Sequence, residues 1–411
     1  MVDRLRGVIA IDRDILLSQA IEGEQTDKKI ALFSQNFFSR KKESLFSLPR
    51  NFSRTATLVG TSSNKKIETM YTTALRSFAS SVSRLNEVSI VSQLDVNPDT
   101  FAYAVVWKDN QTLFEGSWGK DGSGDAIDSG SIFRIGSLSK HIVADMFFNL
   151  GNEKGIKWSQ RLSDFFPDNF PPSFQEVTLF HLFNHQSGLP SYDEDQSPST
   201  VLSETLFKKG VQNELQFSPG NYFFYSNYGY AIIGRFFEQI LGSSFEDEVR
   251  KHSKKMSLFS TGYLSQQQEQ KWVVGHKKSS SHEVIYEAGQ SLHQTKAFSA
   301  AGLYSCARDL RNWYTLFLSG DLGYSPSFLF KNVEAKVRFL SNPAENISYH
   351  SGFFLNDPYL EHTGFFPGYL SQVVLNSVER AGILILCGNQ DADIISMKKE
   401  LQFQFKDLFN G

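Results

Sequence analysis

An α+β fold, with one antiparallel sheet assembled from both ends of the chain and helices covering it, is predicted by three features of the 411-residue sequence. The segment FAYAVVWKDNQTLFEGSWG (101–119) reads as two strands around a turn at Lys108–Gln111. Between about 140 and 320 helical patterns dominate. Beyond 345 short apolar runs of strand length return, namely ISYHSGFFL, YLSQVVLN and AGILILCGN.

The elements follow in order. Residues 1–60 are mixed in charge and Ser-rich, with a basic cluster at Arg40, Lys41 and Lys42, and are expected to form an extension or linker of unassigned role. Residues 61–411 are expected to form one domain with an all-helical subdomain over about 145–290. From Lys65 to Leu85, the apolar residues Ile67, Tyr71, Leu75, Phe78 and Val82 recur every three or four positions, the period of a helix. HIVADMFFNLGNEKG and GYAIIGRFFEQILG are predicted helices, each ending on Gly as a C-cap would. The last segment, ISMKKELQFQFKDLF, also reads as helix.

Composition narrows the function classes. Hydrophobic residues at 40% and charged residues at 21% are ordinary for a globular chain, and 37 Phe point to a Phe-rich core. A net charge of −3 offers no long-range field for nucleic acid or an anionic membrane. No apolar stretch approaches the roughly 18–20 residues of a membrane span. Asp3, Asp12 and Asp14 interrupt the apolar region a secretory signal requires, so the expectation is a protein that stays inside the cell, one whose signal was removed, or export by another route. Cys306 and Cys387 are the only cysteines, which excludes a disulfide framework and a zinc–thiolate site on count; both are expected to be small buried residues.

Ser137-Leu138-Ser139-Lys140 sits where FRIGS gives way to a helix, and residues three apart share a helix face, so the hydroxyl and the amine can meet. Serine becomes a nucleophile when an adjacent base takes its proton, and a helix N-terminus favours the oxyanion that develops. Six serines have Lys three residues on (Ser39, Ser62, Ser63, Ser117, Ser137 and Ser396), so the spacing selects none of them by itself. Tyr225-Ser226-Asn227, the only Tyr-x-Asn of the chain, supplies a phenol for proton relay and an amide for substrate. His362-Thr363-Gly364 is a third motif, shared in pattern by His350-Ser351-Gly352. His181 and His185, four apart, lack the Glu of a HExxH zinc site, and no metal or cofactor is expected. Ser139, adjacent to Lys140, faces elsewhere and is not read as the nucleophile; His141 is expected to pack or to reach the surface, and Asp309 reads as a helix-start carboxylate.

The ordered set SxxK, YxN and HTG resembles the serine β-lactamase and penicillin-binding superfamily, in the branch of class C β-lactamases, DD-carboxypeptidases and related esterases. FRIGSLSK, LFNHQSGLPSY (182–192), FSPG…YSNYGYAIIG, FSAAGLYSCARDL (298–310) and HTGFFPGY (362–369) resemble the family's successive signatures, over about 65–409. The resemblance implies the β-lactamase/transpeptidase fold and an acyl-enzyme on Ser137. It implies that Lys140 and Tyr225 share the base work, and that Asn227, His362, Thr363 and Gly364 contact substrate. The backbone N–H groups of Ser137 and Phe365 would form the oxyanion hole. D-alanyl peptides, esters or β-lactams are the implied small-molecule or peptide substrates. A sensor or scaffold that recognises penicillin without hydrolysing it is the alternative. His362 stands where class C β-lactamases carry Lys, which weighs against efficient β-lactamase activity. If His362 occupies that place, carboxylate binding should strengthen as pH falls from 8 to 6.

Overall fold

The computed structural model describes residues 100–166, 171–191, 214–263, 271–278, 283–286, 298–333 and 337–409, all within one compact unit. The expected extension over 1–60 and helix over 65–85 lie outside these residues.

The chain enters as a hairpin, β1 (Ala102–Lys108) and β2 (Gln111–Trp118), followed by the short β3 (Ile132–Arg134). Helices α1 (Ser139–Lys154) and α2 (Leu179–Phe183) come next, then β4 (Tyr222–Phe223), α3 (Asn227–Leu241) and α4 (Phe245–Lys255). A small hairpin, β5 (Gly275–Lys278) and β6 (Glu283–Tyr286), precedes the single turn α5 (Phe298–Ala301), β7 (Tyr304–Cys306), α6 (Ala307–Ser319) and α7 (Pro326–Asn332). Strands then dominate: β8 (Val337–Phe339), β9 (Asn342–Ile347), β10 (Tyr349–His350), β11 (Phe353–Asn356), β12 (Tyr359–Phe366), β13 (Tyr369–Asn376) and β14 (Ala381–Cys387). Helices α8 (Ile394–Gln404) and α9 (Lys406–Phe409) close the described chain.

Seven strands form one antiparallel sheet in the order β10-β11-β12-β13-β14-β1-β2, so the two chain ends meet where β14 pairs with β1, Val105 opposite Leu384. The strand patterns follow from position in the sheet. β14 is buried at every residue because both its faces are covered, whereas the edge strand β2 keeps Gln111, Glu115 and Ser117 exposed. On one face Ala104, Val106, Ile383 and Ile385 pack against Ile394, Met397 and Leu401 of α8. On the other, Val105, Trp107, Leu384 and Leu386 join the main core with α1, α3 and α6. Burying each such aliphatic side chain contributes about 1.5–3 kcal/mol, which explains why β1 and β14 read as continuous apolar runs.

Both predicted C-caps are present: Gly155 and Gly242 end α1 and α3 with φ of 69° and 66°, a left-handed conformation that glycine adopts without steric cost. α1 is enclosed nearly all round, from Ser139 to Phe147, and so runs through the core rather than over it. The run ISYHSGFFL is broken into two strands, because Ser351 and Gly352 both take positive φ and form a turn between β10 and β11. Cys306 and Cys387 are free and buried.

Candidate functional site

The nucleophile segment is a tight turn between β3 and α1. Gly136, Ser137 and Leu138 form one turn of 3₁₀ helix, and α1 begins at Ser139. Gly136 has φ +52°, and a Cβ there would lie 2.5–2.7 Å from the backbone O, N and C of Phe365 on β12. A side chain at Gly364 would strike Ile135 O and Ser371 Oγ. Two glycines therefore let the turn and β12 touch backbone to backbone, which sets Ser137 beside Phe365. The turn is pinned by polar contacts. Ser371 Oγ donates to Ile135 O at 2.8 Å and Ser139 Oγ to Gly136 O at 2.6 Å, while Leu303 N donates to Ser139 Oγ at 3.2 Å. Ser139 thus holds the turn, as its direction in sequence suggests.

Lys140 is fully buried, and its Nζ donates to Ser137 Oγ at 3.2 Å, Asn227 Oδ1 at 3.0 Å and Ala300 O at 2.8 Å. An ammonium has three N–H donors, so these three acceptors match it. The ammonium also lies 4.8 Å from the centre of the Tyr225 ring and 5.0 Å from that of Tyr230, within cation–π range. Tyr225 Oη also donates to Ser137 Oγ, at 2.8 Å. Ser137 retains 8% exposure, as does Asn227, so the cluster opens at its edge.

Asn227 is the first residue of α3, whose N-cap Ser226 accepts from Gly229 N at 3.2 Å. The cap directs the helix start at Lys140, and Asn227 N is held by Ser191 Oγ at 3.2 Å. Ala300 O comes from α5, which Ser299 ties to α3 by donating to Tyr230 O at 2.6 Å. The FSAAGL segment marked a turn of small residues but carried no signal that a backbone carbonyl there meets the lysine.

His185 supports Tyr225. Its Nδ1 accepts from Ser226 N at 3.1 Å and its ring packs 4.2 Å from the tyrosine ring. His181 Nδ1 accepts from Thr178 N, closing a capping box on α2. The two histidines thus serve different helices' ends. His141 is buried, stacked on Phe353 at 3.8 Å and bonded to Tyr314 Oη and Gly352 O, as a packing residue would be. Asp309 lies in the first turn of α6, but its carboxylate accepts from Ser260 N and Thr261 Oγ1 and so fixes the preceding loop.

His362 corrects the expectation of a charge switch. Residues of β12 alternate in exposure: His362, Gly364 and Phe366 are buried, Thr363 and Phe365 exposed. At 3% exposure the His362 ring packs on Phe354 and stands 5.9 Å from the Tyr225 ring. Burial first, then the charge of Lys140, pushes its pKa down to about 3. Its Nδ1 donates to Thr363 O at 2.6 Å, which fixes a neutral tautomer with Nε2 unpartnered among the described residues. His362 stays neutral from pH 8 to 6.

A family model described as Beta-lactamase matches residues 101–393. Penicillin-binding protein 4* of Bacillus subtilis (strain 168) is 26% identical over 300 residues, 65% of this chain and 62% of the relative, so the chain spans less than two thirds of that relative's length. A penicillin binding protein from Bacillus halodurans has a similar structure, with TM-score 0.63 and 18% identity over 77% of this chain and 98% of the other. A D-stereospecific amidohydrolase from Streptomyces sp. matches with TM-score 0.62 and 20% identity over 77% and 96%. These two likenesses show the fold: an antiparallel sheet with helices of the β-lactamase/transpeptidase type.

Proposed function

This chain belongs to the Beta-lactamase family, and we propose that within it the protein is a serine hydrolase that forms an acyl-enzyme on Ser137 and acts on uncharged esters or amides. The observation that carries the reading is the convergence of Lys140 Nζ and Tyr225 Oη on one serine oxygen. Since Lys140 has acceptors for all three N–H bonds, it acts as a cation that stabilises Tyr225 as a phenolate, formed when the phenol gives its proton to solvent, and this phenolate takes the serine proton.

In acylation the Ser137 proton passes to Tyr225 as Oγ bonds the carbonyl carbon. The oxyanion is held by the backbone N–H groups of Ser137 and Phe365, a pair favoured by the backbone contact between the nucleophile turn and β12. Collapse breaks the bond to the leaving group, which receives the proton from Tyr225. In deacylation a water gives its proton to Tyr225 and its oxygen to the carbonyl carbon, and Oγ leaves with that proton. Asn227 anchors Lys140 through Oδ1 and offers its amide N–H to substrate.

Neutral substrates are favoured because His362 is uncharged where a lysine would attract a carboxylate. A second reading, a DD-carboxypeptidase site that binds penicillin, is favoured by the name of the Bacillus subtilis relative, Penicillin-binding protein 4*. The two readings share the acyl-enzyme and differ in leaving group. A fluorescent penicillin combined with a chromogenic ester tests the proposal. Ester turnover with Ser137-dependent labelling is expected. Stable labelling without turnover of either compound would make the protein a sensor, and neither labelling nor turnover a scaffold.

A further inference from the structure

Tyr225 Oη lies 2.8 Å from Ser137 Oγ, and the backbone that carries it is gripped from one neighbouring segment. His185 O accepts from Phe224 N at 2.9 Å and His185 Nδ1 from Ser226 N at 3.1 Å, so one residue holds both chain neighbours of Tyr225. Pro190 O accepts from Ser226 Oγ at 2.6 Å and Ser191 Oγ from Asn227 N at 3.2 Å, which extends the grip to the start of α3. The imidazole lies against the Tyr225 ring, 4.2 Å between centres, and is 1% exposed. Two local costs fall on this residue. Its φ is +57°, a left-handed value uncommon for a residue other than glycine. Accepting at Nδ1 puts the ring proton on Nε2, which is buried with no hydrogen-bond partner among the described residues. A phenylalanine would fill the same space without a stranded N–H. It would lack the acceptor for Ser226 N.

We propose that His185 is a positioning residue for the reaction: its carbonyl and Nδ1, acting on Phe224 and Ser226, hold Tyr225 so that the phenol oxygen meets Ser137 Oγ. The inference rests on the reading of Tyr225 as the base for Ser137. His185 works through that tyrosine and takes no proton from substrate. Uncommon backbone conformations cluster where a site needs a group held in one place, and this one flanks the base on both sides. Misplacing a reacting group by about 1 Å costs up to roughly a hundredfold in rate, which sets the scale of the effect.

The test uses the full chain and first-turnover release of nitrophenol from nitrophenyl acetate, which gives the maximal acylation rate and the half-saturating ester concentration. In His185→Asn the amide oxygen can stand where Nδ1 stands, and Asn adopts left-handed backbone readily. In His185→Gln, one methylene longer, the oxygen is carried past that point. His185→Gln is expected to lower the maximal rate roughly tenfold to a hundredfold with half-saturation within about threefold of wild type, and His185→Asn to recover most of the loss. In a Tyr225→Phe background His185→Gln should cost less than about twofold more, because a residue acting through the phenol then has nothing to position. A wild-type rate in His185→Gln overturns the proposal. Equal losses in the Gln and Asn variants also overturn it, as does the full loss repeated in the Tyr225→Phe background. If His185→Gln is unfolded by circular dichroism, His185→Gly, unstrained at this φ, replaces it in each comparison. The underlying reading fails separately: Tyr225→Phe alone would then acylate as fast as wild type.

Discussion

Helix α1 carries two buried polar clusters five residues apart, and they are built for different purposes. At its start Lys140 meets Ser137, Asn227 and Ala300, and Ser137 keeps an opening to solvent. Further along, Asp145 is fully buried; its Oδ2 accepts from His252 Nε2 and Trp313 Nε1, both at 3.0 Å, and its Oδ1 from Asn149 Nδ2 at 2.9 Å. Each charged group has three partners, as burial demands. In the Asp145 cluster every partner belongs to α1, α4 or α6, so it locks helices together and leads nowhere. In the Lys140 cluster one partner is a hydroxyl shared with Tyr225, a second group able to carry its proton. The difference teaches that burial and full hydrogen bonding do not mark a reactive site. The mark is convergence of two proton-carrying groups on an accessible nucleophile.

Substitutions break this comparison in opposite ways. Lys140→Ala or Tyr225→Phe should each lower kcat/KM by roughly 10²–10⁴. The double variant should lose far less than the product, since both act on one oxygen; strictly multiplicative losses in steady-state kinetics would contradict a shared role. Asp145→Ala should do the reverse. It strands the donors of His252, Trp313 and Asn149 and should cost about 3 kcal/mol in denaturant unfolding. The activity of its folded fraction should stay within about threefold of wild type, and a hundredfold loss of kcat would place Asp145 in the catalytic network.

Smaller effects sharpen the comparison by pH. Burial pushes the pKa of His350 down to about 4 and of His362 to about 3, with His141 and His185 also well below 6.5. Between those values and 6.5 the unfolded chain binds protons that the folded chain does not, so stability must fall as pH drops below about 6.5. Thermal unfolding from pH 7.5 to 5 should show a steadily falling Tm; a flat or rising Tm would mean these rings are hydrated or paired. The smallest expected effect is a null one. KM for a carboxylate-bearing ester and a neutral ester should follow parallel profiles from pH 8 to 6, because His362 carries no charge at either end. Selective strengthening of the charged ester at pH 6 would restore a charge-recognition role for His362.

Much of this arrangement is legible in the sequence. The Ser137–Lys140 spacing predicts a contact that the structure gives as 3.2 Å, and the Gly ends of α1 and α3 read directly as caps. The sheet from two chain ends follows from strand-like runs at 101–119 and beyond 345. Other features depend on packing that no local pattern encodes. Which face of β12 meets the core decides that His362 is buried, and period-two alternation alone leaves that choice open. The Ala300 carbonyl reaches Lys140 across 160 residues through backbone, so its side chain gives no hint. The spacing of His181 and His185 carries no signal that His185 holds the start of α3 and the Tyr225 ring.

The central claim is that Ser137 is the one acylated oxygen, and a fluorophosphonate probe followed by peptide mass spectrometry tests it most directly. A single adduct on the peptide containing Ser137, absent from Ser137→Ala with the fold intact by circular dichroism, is the predicted result. An adduct on Ser139, Ser63 or any other serine, or equal labelling of the Ser137→Ala variant, would contradict it.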